Sequence, residues 1–317
     1  MKKKIYNNCH IEGLLYQHSL EAKVSGPNSK NPNTTYITGT VEIATDDACL
    51  NIVPVHYTYV TGTTSTGKAN PTYNVLADIV AGIHKTVMKD GAENATKIKI
   101  DSAIGLNEFY TTNRATGKEE LVSAKRNEGG FIHVVADLDP DEKVRSTFDC
   151  DIIITKATRI EADEERQTPE RVNLHGVIFD FRKNILPVDF TVLNPIAMDY
   201  FESLGISDKS PVFTKVKGRQ ISTTVVKEIR EQSAFGEDYV REVKNTRKDF
   251  VVTWAQAEPY EWDDESTILV SELNEAIANR EVALAEIKSR NEEYKASKSG
   301  TNAPSAFATP AVGGFNF

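Results

Sequence analysis

A mainly β fold with some α, built as two tandem β-barrel modules followed by a C-terminal helix, is predicted by three observations on this 317-residue chain. The run Leu186–Thr223 reads strand, helix, strand in short order: LPVDFTVLNP, IAMDYFESLG, then SPVFTKVKGRQIST. A looser echo, ATKIKI at Ala95–Ile100, follows another helical pattern in the first half. A glycine also interrupts an opening strand in each half, Gly13 in NCHIEGLLYQ and Gly176 in RVNLHGVIFDF. Such a glycine marks a bulge or bend, which lets one long strand serve both sides of a small barrel.

The first module is expected over residues 1–162. Its strands His10–Lys23, Tyr36–Ala44 and Ile52–Tyr59 are rich in β-branched and aromatic residues. The turn cluster SGPNSKNPN divides the first of these from the second, and the polar loop TGTTSTGKANP comes after the third. Val75, Leu76, Ile79, Val80 and Ile83 then recur at helical spacing behind Pro71 and Thr72, a suitable helix start. Strands resume at Thr96–Ile100, Glu108–Thr111, Gly130–Asp137 and Thr147–Ile160, with TTNRATGKEE as a hairpin-like excursion. The charged stretch at 163–171 is the expected linker, and 172–262 the second barrel. A helix is predicted over 263–296, capped by Asp264 or Ser266, with Leu269, Leu273, Ile277, Leu284 and Ile287 on one side. The Gly/Pro-rich stretch 297–317 reads as a disordered tail.

Composition excludes several classes. A hydrophobic content of 39% and a charged content of 26% are ordinary for a globular protein. No apolar run is long enough to span a bilayer, and MKKKIYNNCHIEG lacks the apolar core of a signal peptide, so a cytoplasmic protein is expected. Cys9, Cys49 and Cys150 are odd in number and far apart, which predicts reduced thiols and no zinc site. The six histidines fall at no ligand spacing, and no serine sits in a nucleophile elbow. A non-catalytic protein without cofactor or metal is therefore expected. Gly62–Lys68 nearly matches a phosphate-binding loop, but Ala69 stands where Ser or Thr is needed, and Asn70-Pro71 delays the helix.

The net charge of −9 opposes a nucleic-acid ligand in total but not locally. From Lys215 to Lys248 nine basic residues stand against five acidic ones. Lys215, Lys217 and Arg219 alternate with Val216 and Gly218 and so share one strand face, as do Lys97 and Lys99 against Ile98 and Ile100. Binding a single strand needs flat side chains for bases and cations for phosphates. Tyr57 with Tyr59, Phe179 with Phe181, and Trp254 supply the first; Lys68, Lys97, Lys99, Lys183, Lys215, Lys217 and Arg219 the second. Alternation leaves open whether these aromatic faces point to ligand or to core.

The 35 residues VDFTVLNPIAMDYFESLGISDKSPVFTKVKGRQIS resemble the strand, helix, strand core of OB-fold single-stranded-DNA-binding proteins of the bacteriophage type. The resemblance implies two OB-like barrels that coat single-stranded DNA with little sequence preference during replication or recombination. It also implies a host-cytoplasm location. Members use strands 2 and 3 and the loops between strands 1–2 and 4–5 as the binding surface. Bacterial members end in a flexible tail whose acidic tip and final phenylalanine recruit partner enzymes, which implies such a role for Phe315 and Phe317, although no acidic residue follows Ser297 here. Two competing classes share the same sequence features: a β-barrel structural protein of a phage particle, and a metal-dependent DNA-processing enzyme.

Overall fold

The computed structural model describes residues 5–299, apart from 28, 164–167, 208, 232–234, 237, 238 and 263–267. The first half holds β1 (Asn7–His18), β2 (Glu21–Val24), β3 (Thr35–Ala44), β4 (Ile52–Thr61), α1 (Pro71–Val80), the single turn α2 (Val87–Asp90), β5 (Lys97–Thr112) and β6 (Glu119–Val134). The second holds β7 (Ser146–Ile160), β8 (Arg171–Phe179), β9 (Ile185–Val192), α3 (Pro195–Ser203), β10 (Val212–Glu231), β11 (Tyr239–Ala255) and α4 (Val270–Ser299). The chain is thus mainly β, with few helices and a long one at its C-terminal side.

The strands close into two hydrogen-bonded rings. In the first, β1 pairs with β3, β3 with β4, β4 with β6, β6 with β5, and β5 with β1 again. In the second, β7 pairs with β8, β8 with β9, β9 with β11, β11 with β10, and β10 with β7. Each ring closes through one parallel pair, β4 with β6 and β9 with β11, the rest being antiparallel. A seam joins the rings, where Asn7–Ile11 of β1 pairs antiparallel with Ser146–Cys150 of β7.

The strand Ser146–Ile160, expected within the first module, closes the second ring. Alternation reports which face of a strand is apolar but not which strand lies beside it. The counterpart of β1 is therefore β7, whereas Gly176 lies one strand later, on β8. Both glycines nevertheless mark close backbone approach. A Cβ would stand 2.0 Å from the Ala44 carbonyl oxygen at Gly13, and 2.3 Å from that of Ile153 at Gly176.

A helix sits between the third and fourth strands of each ring, and both start alike. Asn70 and Asn194 cap α1 and α3 through their side-chain oxygens, which accept from the amides of Thr72 and Ala197. Proline follows as the first helical residue, where its missing amide costs nothing. Leu76 and Ile79 of α1, and Met198 and Phe201 of α3, are buried at helical spacing in a core that runs through both rings.

Polar and charged groups lock the rings to each other. The amides of Asn127 (β6) and Gln220 (β10) are buried and exchange hydrogen bonds of 2.7 and 3.0 Å. Lys125 reaches from β6 into the second ring, with Nζ 4.4 Å from the centre of the Phe250 ring and 5.1 Å from that of Phe190, and donates to the Asp189 carbonyl. The helix α4 spans both rings. Glu272 meets Lys183 at 3.0 Å, Arg280 meets Glu108 at 2.6 Å, and Asn291 donates to Glu119 at 2.6 Å. The expected helix 263–296 is Val270–Ser299 where described, so the expected tail begins inside it. Ile277, expected on the buried side, is exposed, and Ala276 is buried instead.

Burial pulls the Lys125 ammonium down to about 8 from the usual 10.5, against the opposing pull of Asp189 and Asp249. The unfolded chain keeps this proton to the higher value, so between the two it binds more protons than the fold. Stability then rises with pH across that window. Lys125→Met should be more stable than the wild type at pH 7, and this advantage should shrink by about 1–3 kcal/mol by pH 10. Urea midpoints of both proteins at the two pH values test it; a pH-independent difference contradicts it.

Candidate nucleic-acid interface

A groove of about 1720 Å³ runs over both rings, lined by parts of β1, β4, β5, β6, β7 and β10 and by the turns beside them. Three exposed aromatic rings line it: Tyr59 at the end of β4, Phe131 in β6, and Phe181 in the turn after β8.

Each ring is turned outward by local backbone. β4 continues past the closure of the first ring as a hairpin with β3, so Tyr59 leaves the core and packs at a tilt against Tyr36, ring centres 4.5 Å apart. Phe131 is 70% exposed. It follows Gly129 and Gly130, both at positive φ, which stand opposite the single residue Ser102. Two residues facing one make a β-bulge, which re-aims the next side chain. Phe181 is 89% exposed. Asp180 holds its turn by accepting from the amides of Arg182 and Asn184 at 2.7 and 2.8 Å. Lys183 in this turn takes φ +65°, and the Arg182 guanidinium lies 5.0 Å from the Phe181 ring.

Two aromatic residues expected at the ligand are core. Tyr57 is 1% exposed, because β4 still closes the ring there. Phe179 is also 1% exposed, packed with Ile153, Phe213, Ile268 and Ala276 beneath α4. Alternation placed each with its exposed partner two residues on, but the strand leaves the ring or ends between them. Trp254 is half exposed outside the groove, with Lys217 Nζ 5.2 Å from its ring.

The expected cations divide in the same way. Lys215, Lys217 and Arg219 stand on one outward face, with Val216 and Gly218 buried between them. Lys217 and Arg219 line the groove. Asp149 of β7, across from Lys217, takes up both lysines, at 3.0 Å from Lys215 and 3.9 Å from Lys217. Lys215 Nζ also sits 3.7 Å from the Tyr6 ring centre and is mostly covered. Lys97 is paired with Asp137 at 3.2 Å and Lys183 with Glu272. Lys99 faces outward but does not line the groove, and neither does Lys68. Phe315 and Phe317 lie outside the described residues. Phe131 and Lys143 are groove residues that strand alternation missed; the Gly-Gly pair before Phe131 was the available signal.

The segment 62–68 forms a turn instead of a phosphate cradle. Thr63 and Ala69 bridge across it, and Asn70 already satisfies the Thr72 amide at the start of α1. Burial raises the thiols of Cys9 and Cys150 well above their usual range, so both stay protonated and unreactive. Among the described residues no three His, Cys, Asp or Glu side chains gather as metal ligands, and no helix is long and apolar enough to cross a membrane.

No curated protein matches the chain. One similar solved structure is that of a deletion mutant of the single-stranded DNA binding protein from Thermus aquaticus. It shares 9% identity over 81% of this chain and 96% of that one, with a TM-score of 0.43. The model of the YorF family matches residues 5–290, nearly the whole described length, and the chain belongs to that family.

Proposed function

We propose that this protein binds single-stranded DNA along the groove that crosses its two rings. The observation that carries the reading is the set of three outward aromatic rings, Tyr59, Phe131 and Phe181, in one groove with Lys143, Lys217 and Arg219. Aromatic faces stack any base, and cations take the backbone, so the strand is coated with little sequence preference. Ring topology supports reading each ring as an OB-like barrel. Numbered within each ring, the strands follow the order 1-2-3-5-4-1, with a helix between the third and fourth. A five-stranded Greek-key barrel of this kind binds oligonucleotides on strands 2 and 3 and the adjoining loops. Tyr59, on the third strand of the first ring, falls on that surface, and Phe181 stands in the turn that joins the second and third strands of the second ring. The two modules meet at the seam, near residue 145. Phage-type replication or recombination is the setting we infer, from the sequence resemblance over Val188–Ser222, with partner enzymes docking on the C-terminal tail. The role is non-catalytic.

Anisotropy of a labelled oligothymidylate, titrated at two salt concentrations, tests this. Binding should be measurable at low salt and fall as salt rises; absent or salt-indifferent binding overturns it. Arg219→Glu should weaken binding. Asp149→Asn should strengthen it severalfold and steepen the salt slope, by about 0.7 for each lysine released.

A further inference from the structure

Phe181, the most exposed of the three aromatic rings in the groove, is aimed by its turn and not by packing of its own. Both ends of that turn are anchored beneath α4. Phe179 before it and Ile185 after it are buried in one cluster with Ala276 of α4, and Leu273 packs against the same cluster. Arg280, one helical turn beyond Ala276, forks onto the two carboxylate oxygens of Glu108 at 2.6 and 3.2 Å and also donates to the Ile185 carbonyl at 3.5 Å. Glu108 of β5 lines the groove. One helix thus ties the Phe181 turn of the second ring to a groove strand of the first. The middle of the turn is held as well. Lys183 stands at φ +65°, a left-handed conformation in which glycine is the usual residue. Its ammonium reaches one carboxylate oxygen of Glu272 at 3.0 Å. The other oxygen accepts from the Leu269 amide at 3.3 Å, which fixes Glu272 at the start of the helix. An exposed ion pair of this kind adds little to stability, so what the turn carries is the better account of a lysine at this backbone position.

We infer that α4 positions Phe181 for stacking on a base, with Lys183 and Glu272 as positioning residues that set the ring without touching the DNA. The inference rests on the single-strand reading above. Phe181 lines the groove and Lys183 does not, so the lysine acts through the ring and not on the phosphates. A ring held in its bound direction before the strand arrives spares the cost of ordering it on binding. Arg280 serves the same groove from the other wall. It neutralises Glu108, whose bare carboxylate would oppose the phosphates.

The test uses the full chain. Lys183→Gly and Glu272→Gln cut the link from either side, each made with Phe181 present and with Phe181→Ala. The readouts are affinity for oligothymidylate, its salt slope and the urea midpoint. With Phe181 present, both variants should bind about 2–10-fold more weakly at an unchanged salt slope. The midpoint of Lys183→Gly should stay close to the wild type, since relief of the left-handed backbone offsets the lost ion pair. In the Phe181→Ala background neither substitution should weaken binding further, because the ring they act through is gone. A loss that persists in that background overturns the positioning role. Tighter binding by Glu272→Gln with a slope steeper by about 0.7 also overturns it, by making Lys183 a phosphate ligand held in reserve. A loss confined to Lys183→Gly overturns the part played by α4. Unchanged affinity in both variants, with the wild type binding well, overturns the inference and leaves the single-strand reading standing. If the wild type binds no oligothymidylate at all, the single-strand reading falls, and this inference with it.

Discussion

Replacing Phe131 and Phe181 together by alanine is expected to weaken oligothymidylate binding by about 10²–10⁴-fold, from ~1–3 kcal/mol of stacking per base. Both rings are almost wholly outside the core, so neither contributes much to folding. The urea midpoint should stay within ~0.5 kcal/mol of wild type, the usual range for surface changes. Tyr59→Ala should cost less, because Tyr59 already packs at a tilt against Tyr36 and part of its face is spent within the protein. The salt slope should be unchanged in the aromatic variants, since no phosphate contact is lost. An unaltered affinity in the double variant would place the DNA elsewhere on the surface.

Gly218→Ala should act in the opposite way, through the fold. One added methyl would stand 2.1 Å from the Val251 carbonyl oxygen and 2.5 Å from Cζ of Phe148. Neither can yield cheaply. Val251 belongs to the short parallel pair that closes the second ring, and Phe148 is stacked on Phe190 at 4.9 Å in the core. Overpacking at such a site costs about 3–5 kcal/mol, a large part of the stability of an ordinary domain. Chemical denaturation should show the loss directly, with DNA binding failing only as the folded fraction falls. A variant that unfolds at the wild-type midpoint would show that β10 and β11 separate freely at Gly218, where their register shifts.

The segment Leu186–Thr223 was the most legible part of the chain, and the reason is local. Alternating apolar residues mark β9 and β10, and Asn194-Pro195 marks the start of α3, so each signal lies within the element it specifies. The helical spacing behind Pro71 and Thr72 made α1 readable in the same local way. What could not be read depends on partners distant in sequence. The assignment of β7 to the second ring rests on its pairing with β8 and β10. Lys215 and Lys217 lose their free charge to Asp149, a residue on another strand of that ring. The aromatic residues failed for a different reason. Tyr57 and Tyr59, like Phe179 and Phe181, share strand parity, but parity has meaning only while the strand stays in its ring. Phe131 escaped notice because its outward direction comes from the glycine pair before it and not from any pattern of its own.

The seam between β1 and β7 also dictates an order of assembly. Asn7 pairs with Cys150, and its side-chain amide donates to the carbonyl of Phe179, 172 residues further on. During synthesis from the N-terminus, β1 can engage β3 and then β5, but one edge of Asn7–Ile11 must wait until β7 has left the ribosome. Until then that edge presents open amides and carbonyls to any passing strand. A chain stopped before residue 146 would keep the edge open permanently, so the first ring made alone is more prone to pair with copies of itself than the complete protein.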